Sequence, residues 1–367
     1  MDQKPGQGWR SPEAPRGRGA VSNRAGRFEA TTRHRIDDGW GGDVASDRRL
    51  VTEVAEDRTR SIIARNNSPD IGFDRSVNPY RGCEHGCIYC FARPTHAFLG
   101  LSPGLDFETR ILARPQAAEL LDRALRAPRY RPDVIAMGTN TDPYQPIERA
   151  RRITRAVLEV LSAHRHPVSL VTKGALVARD ADLLGEMGRA GLASAALSLT
   201  SLDNRLSRRM EPRASAPHAR LRAIETLARA GCPVGVMLAP LIPALNDHEI
   251  ERLVQAAADA GASFAAHIVL RLPREVAGLF REWLQASYPH RAARVMRQVR
   301  ELHGGRDYDP EWGRRLTGEG VLAALIARRV AAARKRHGLA ERGPELRRDL
   351  FRPPPRAGDQ LSLDNLF

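Results

Sequence analysis

Three amphipathic stretches of this chain end in the same pair, Ala-Gly, at 190–191, 230–231 and 260–261, and an apolar run follows each one. A glycine just past a helix supplies the left-handed cap that turns the chain out of it. The apolar runs are Asp133–Met137, Val168–Thr172, Ala193–Leu199, Val234–Ala239 and Ala266–Leu270. The amphipathic stretches are Ile153–Ala163, Asp180–Ala190, Arg220–Ala230 and Asp247–Ala260. Strands alternating with helices predict an α/β protein with a parallel sheet. The rhythm has a period of about 35 residues, but no side-chain signature repeats with it, which favours a barrel or partial barrel over a solenoid. Ligands then belong at the C-terminal ends of the strands. Thr139, Asn140 and Asp142, the pair Thr172-Lys173, the run Ser198-Leu199-Thr200, and Arg271-Leu272-Pro273 fall there.

The chain is long enough, at 367 residues, for two or three domains or one large α/β domain with tails. Hydrophobic residues at 42% provide a sizeable core and exclude wholesale disorder. No apolar run is long enough to span a membrane. The start, MDQKPGQGWR, lacks the apolar stretch of a secretory signal, so a cytoplasmic protein is expected. The boundaries read as an irregular, mostly disordered segment over 1–58, a barrel over 59–289, a basic helical extension over 290–340 and a flexible tail over 341–367.

Four cysteines in so long a chain are not a disulfide scaffold. Three of them, Cys83, Cys87 and Cys90, follow a C-x3-C-x2-C spacing. Three thiolates this close on one loop can hold three irons of a [4Fe–4S] cube and leave the fourth iron open for small-molecule chemistry. Structural zinc competes, but it normally takes four N or S ligands, and His85 between the cysteines would strain a tetrahedron. Gly82 and Gly86 permit a tight loop.

The segment CEHGCIYC resembles the signature of the radical S-adenosylmethionine superfamily. The blocks NPYRGCEHGCIYC, GTNTDPYQPIE (138–148), VTKGALVARD (171–180), SLTSLD (198–203), MEPRASAP (210–217), APLIPALND (239–247) and LRLP (270–273) resemble its spore photoproduct lyase-like, or DNA repair photolyase-like, branch. They span about residues 60–335. The resemblance implies a partial (β/α)6 TIM-type barrel with a helical C-terminal extension. It also implies an enzyme that binds S-adenosylmethionine at a [4Fe–4S] cluster, cleaves it reductively to a 5′-deoxyadenosyl radical and takes hydrogen from a substrate.

On that resemblance Cys83, Cys87 and Cys90 are the cluster ligands, and Tyr89 lies beside the adenine unless it is an ordinary packed aromatic. Lys173 and Ser198 match cofactor-contacting positions, and a lysine there can neutralise the methionine carboxylate; the alternative is a surface or substrate-facing role. Thr139, Asn140 and Asp142 lie where the methionine end docks, although Asp142 can equally brace the loop before Pro143. Arg220 and Glu211 read as a solvated helix pair more readily than as a salt bridge within the site. An electron donor such as flavodoxin or ferredoxin is implied.

The lyase returns hydrogen from a cysteine outside its cluster. The one spare cysteine here, Cys232, precedes a strand, at the wrong end of a βα unit, and reads as a buried small hydrophobe. Tyr144 is the alternative hydrogen relay. The resemblance therefore carries cluster and cofactor, not thymine-dimer repair.

The excess of 58 Lys/Arg over 43 Asp/Glu is concentrated toward the C-terminus, where residues 291–357 hold 17 basic and 8 acidic side chains. A basic face is the footprint of a DNA or RNA binder. With only 5% aromatics, an extended single-strand stacking platform is not expected. The end, Gln360 to Phe367, resembles the short peptide that docks bacterial proteins on the replication sliding clamp, with Asp364-Asn365 inserted. A rival of another class is a nucleic-acid or clamp-associated protein with a structural or redox-sensing cluster.

Overall fold

A computed structural model describes residues 15–29 and 50–355. Ten strands are present among them: β1 (Glu53–Glu56), β2 (Ile63–Arg65), β3 (Arg75–Val77), β4 (Tyr80–Arg81), β5 (Arg110–Ala113), β6 (Ile135–Met137), β7 (Val168–Thr172), β8 (Ala193–Ser198), β9 (Val234–Leu241) and β10 (Phe264–Val269). The main sheet has the order β10-β9-β8-β7-β6-β3-β2. Its first six strands in that order are mutually parallel, and β2 closes the far edge antiparallel to β3. This is the partial (β/α)6 barrel. A small sheet, β1-β5-β4, stands apart from it.

Besides two single-turn helices, the α-helices between the strands are α1 (Ala117–Leu125), α2 (Ile153–Ala163), α3 (Ala181–Arg189), α4 (Asn204–Met210), α5 (Pro217–Arg229) and α6 (Ile250–Asp259). The predicted strands and helices recur within a few residues of their expected limits. The three Ala-Gly pairs end α3, α5 and α6, with Gly191, Gly231 and Gly261 all at positive φ. The N–H groups of Leu192, Cys232 and Ala262 reach back to the carbonyls of Met187, Leu227 and Ala257, the longer bond of a Schellman cap. Every residue of β8 is buried, as a parallel strand covered on both faces requires.

β3 was not predicted. It is three residues long and begins with a charge, so it carries no apolar signal. Arg75 is buried there because Asp74 and the carbonyl of Arg131 take up its guanidinium. β3 is the first parallel strand, and the cysteine loop follows its C-terminal end.

The segment over 1–58, expected to be mostly disordered or irregular, contains strand β1, and its residues 15–29 lie without helix or strand against the cysteine loop. The C-terminal extension consists of α7 (Glu275–Ser287), α8 (Pro289–Leu302) and α9 (Gly320–His337). Residues 341–355, expected to begin a flexible tail, instead cross the N-terminal ends of the strands. The N–H of Arg347 donates to Gly191 and that of Arg352 to His164, while Arg126 donates to Pro354. Phe351 packs on Tyr130 and His166. The clamp-like peptide lies outside the described residues. Among the described residues no helix is long and apolar enough to cross a membrane.

Candidate active site

The cysteine loop is held by buried ionic and backbone bonds. Arg93 has no exposed surface and donates to the carbonyls of Cys87 (3.0 Å), Gly86 (3.2 Å), Pro103 (3.1 Å) and Gly104 (2.9 Å). Its charge is met by Glu108 at 2.5 Å, also fully buried. Both Glu108 oxygens are engaged again by the N-terminal segment, through the N–H groups of Gly19 and Ala20, each at 2.9 Å. Arg18 adds bonds to the carbonyls of Glu108 and Leu50. Gly86 sits at φ 65°, and a Cβ there would lie 2.6 Å from the Glu108 carboxylate. Gly19 approaches so closely that a Cβ would meet the Gly86 carbonyl at 1.9 Å.

Cys83 and Cys87 are buried and Cys90 is half-buried. Burial pushes all three thiols above their ordinary range, with Asp142 adding to the effect at Cys83 and Glu211 at Cys87. A bound metal centre supplies the positive charge that reverses this and holds thiolates. Three thiols on one loop, each raised by burial until a cation holds it, are a donor set that fits an iron–sulfur centre.

Lys173 faces Tyr89 of the loop, with its ammonium 5.7 Å from the ring centroid. Tyr89 donates to Glu211, which also accepts from Thr200 (2.7 Å) and from Arg220. Burial and the Glu211 charge push the Tyr89 phenol well above its usual range. Burial works against Glu211 ionising, but Arg220 and Lys173 outweigh it and hold the carboxyl below its usual range. The Glu211–Arg220 pair is thus wholly buried, not the solvated helix pair expected. Buried charges persist only when paired and hydrogen-bonded. Arg220 also donates to the carbonyls of Ser198 (2.9 Å) and Ser215 (2.7 Å), tying the end of β8 to α5.

Asp142 serves as the brace. Its carboxylate accepts from the Thr172 hydroxyl (2.6 Å), the Lys173 N–H (2.7 Å) and the Tyr144 N–H (2.9 Å), and His85 lies 3.3 Å away. Burial opposes its ionisation, yet His85 and these bonds hold it at about 2. Asn140 and Thr141 are pinned through their N–H groups to the Asn78 side chain, and Thr139 remains half-buried at the mouth. Ser198 is buried at the end of β8.

Cys232 is buried at the opposite end of the sheet, against Pro233. Tyr144 is buried with its hydroxyl committed to Asp180 at 3.0 Å. A cavity of about 590 Å³ opens beside the loop, lined by His85, Tyr144, Arg149, Arg179, Arg213 and Ser215. A larger cleft of about 700 Å³, lined in part by Leu272, Arg281 and Tyr308, includes no residue of the cysteine loop.

Arg93, Glu108 and the Arg18–Ala20 contact were not found from the sequence. The contacts of Arg18–Ala20 with Glu108 span 88–90 residues, and Arg93 acts on main-chain carbonyls, which carry no side-chain signature. Lys173 does have a signal that composition makes visible. Only three of the 58 basic residues are lysines, and one of them stands at a strand end above the cysteines. Arginine and lysine are not interchangeable where a compact ammonium is needed.

The radical SAM superfamily model matches residues 77–257. Proteins of uncharacterized function from Mycobacterium bovis and Mycobacterium tuberculosis are each 38% identical over 267 residues, covering 72% of this chain and 77% of theirs. One from Methanocaldococcus jannaschii is 26% identical over 173 residues, 47% of this chain and 62% of that one. Among solved structures, spore photoproduct lyase complexed with dinucleoside spore photoproduct aligns with a TM-score of 0.56 at 18% identity, covering 78% of this chain and 80% of that one. A mutant of that lyase with bound AdoMet and the same dinucleoside gives the same values. At this identity the likeness is one of fold. With the family match and the relatives sharing most of its length, the chain belongs to the radical SAM superfamily and is an enzyme of that class.

Proposed function

We propose that this chain holds a [4Fe–4S] cluster on Cys83, Cys87 and Cys90, binds S-adenosylmethionine beside it and acts on nucleic acid. The observation that carries the reading is that all three cysteines share one largely buried loop at the C-terminal end of the sheet, with Lys173 facing Tyr89 of that loop. When bound, a cluster held by Cys83, Cys87 and Cys90 would supply one electron to the sulfonium of S-adenosylmethionine, breaking its C5′–S bond to release methionine and a 5′-deoxyadenosyl radical for hydrogen abstraction.

The residues around it bind, orient and exclude water. Lys173 offers its ammonium to the methionine carboxylate. Asp142 holds Lys173 and Thr172 in place, while Thr139, Asn140 and Ser198 line the same mouth. Tyr89, fixed by Glu211, presents a ring face to the adenine. The Glu211–Arg220 pair keeps the end of β8 rigid, so the reacting carbon can be held against one C–H bond. The reductant is an electron donor of the flavodoxin or ferredoxin kind, and the oxygen lability of the cluster suits the reducing cytoplasm. A sliding clamp engaged by residues 360–367 is a further partner in this reading.

Anaerobic reconstitution followed by dithionite and S-adenosylmethionine tests it. Expected are absorption near about 400 nm, about four irons per chain and 5′-deoxyadenosine, all lost in Cys87→Ala. One zinc per chain with no 5′-deoxyadenosine overturns it.

A further inference from the structure

Part of the basic C-terminal segment is tied up in ion pairs. Arg300 pairs with Asp307, Arg314 with Asp309, Arg315 with Asp70, Arg329 with Glu251, Arg334 with Glu341, and Arg348 with Asp133. Unpaired charge gathers on two helices beside the cysteine loop. On α4, Arg205, Arg208 and Arg209 are exposed. On α8, Arg291 and Arg294 are exposed three residues apart, on one side of the helix. Neither side chain of Arg205 and Arg208, nor those of Arg291 and Arg294, has an ion-pair partner among the described residues.

Arg209 ties α4 to the residues that lead into α8. The Arg209 guanidinium lies 5.1 Å over the Tyr288 ring, at the start of α8, and donates to the Ser287 carbonyl. Trp283 of α7 donates to the Arg209 carbonyl at 3.0 Å and packs edge-on against Tyr288. α4 also abuts the cysteine loop. The N–H of Ile88 donates to the Met210 carbonyl at 3.0 Å, and Leu206 and Met210 share a core with Cys87, Ile88 and Tyr89. α4 contains no acidic residue, and α8 contains Glu301 alone.

We propose that the α4–α8 ridge is the surface on which the phosphate backbone of a nucleic-acid substrate docks, carrying it past the barrel mouth. This rests on the reading of the cysteine loop as the reaction centre. Guanidinium groups suit phosphate oxygens because their planar donors match them in pairs. Tyr288 backs the ridge with an aromatic face. The extension as a whole does not hold the polyanion; one face of α8 joined to α4 does. An acidic protein surface is the competing occupant, and the test separates the two.

The probe is a fluorescein-labelled duplex, with its affinity for the reconstituted full-length protein measured by anisotropy across a salt series. Each phosphate contact contributes about −0.9 to the slope of log K against log salt. Arg205→Glu with Arg208→Glu, and Arg291→Glu with Arg294→Glu, should each weaken binding about tenfold or more and flatten that slope by about 2. Arg328→Glu with Arg336→Glu, on the exposed face of α9, should change affinity less than about threefold. Dithionite-driven 5′-deoxyadenosine should be unchanged in every variant, so failure of the cofactor reading appears separately. The proposal is overturned if duplex affinity does not depend on salt, if the α9 pair matters as much as the ridge, or if the ridge variants keep duplex affinity and lose reduction by flavodoxin instead.

Discussion

Arg93 and Glu108 meet at 2.5 Å with neither side chain exposed, and this pair closes the underside of the cysteine loop. The guanidinium spends its remaining donors on loop carbonyls, and the carboxylate spends its remaining acceptors on the N-terminal segment. A buried pair contributes little against a well-packed apolar substitute, but breaking one side is costly because the other charge stays behind. Glu108→Gln should therefore cost about 3–5 kcal/mol in a urea titration of the metal-free protein. The same variant should lose iron faster than wild type when the reconstituted protein is exposed to a chelator. An unchanged urea midpoint contradicts the structural role of the pair.

Lys173 gives a prediction that separates cofactor binding from cluster assembly. Its backbone N–H is fixed by Asp142 and its ammonium faces Tyr89. Lys173→Met should raise the dissociation constant for S-adenosylmethionine about tenfold or more, equivalent to about 1.4 kcal/mol. Lys173→Arg should also weaken it, because the fork is larger and differently shaped. Absorption near about 400 nm and iron content should stay at the wild-type level in both. Equal affinity in Lys173→Met would remove the residue from the cofactor site.

Gly138 controls the loop that carries Thr139, Asn140 and Asp142. It sits at φ 84°, and a Cβ would come within 1.8 Å of the Val171 carbonyl on β7. That neighbour is sheet backbone and cannot yield. Gly138→Ala should destabilise the fold by about 2 kcal/mol or more. Thermal melting reads the loss, and a melting temperature within a degree or so of wild type argues against it.

His166 makes the fold sensitive to mild acid. It lies at the N-terminal ends of the strands, bonded to Tyr130 at 2.7 Å and to its own neighbour Pro167. Burial lowers its pKa from 6.5 to about 4, against a smaller opposing effect of the Pro167 carbonyl. The unfolded chain thus takes up a proton near pH 6.5 that the folded chain refuses until about pH 4. Stability is full above pH 6.5, declines through that window and is about 3 kcal/mol lower at its acid end from this group alone. Urea midpoints at pH 7 and pH 4.5 measure the decline. His166→Gln should show a shallower one, and an identical slope would assign the acid sensitivity elsewhere.

The strands, helices and caps of the barrel were legible in the chain because they are set by contacts within a few residues. Apolar periodicity and a glycine after each helix are local properties, and α2 and β7 appear at their expected limits. The cysteine spacing is equally local, since one short loop has to present all three thiols. What the tertiary structure decided lies at long range. Gly19 bonds Glu108 across 89 residues, and Tyr89 bonds Glu211 across 122. β3 appears as a strand only because Arg75 finds partners that let it be buried. Glu211 and Arg220 look like surface residues until folding removes their water and leaves each as the other's counter-ion. Which of the surplus arginines are paired, and which stay free on α4 and α8, is likewise settled only by folding. Ion pairing and burial depend on which distant segments are brought together, and no window of sequence contains that information.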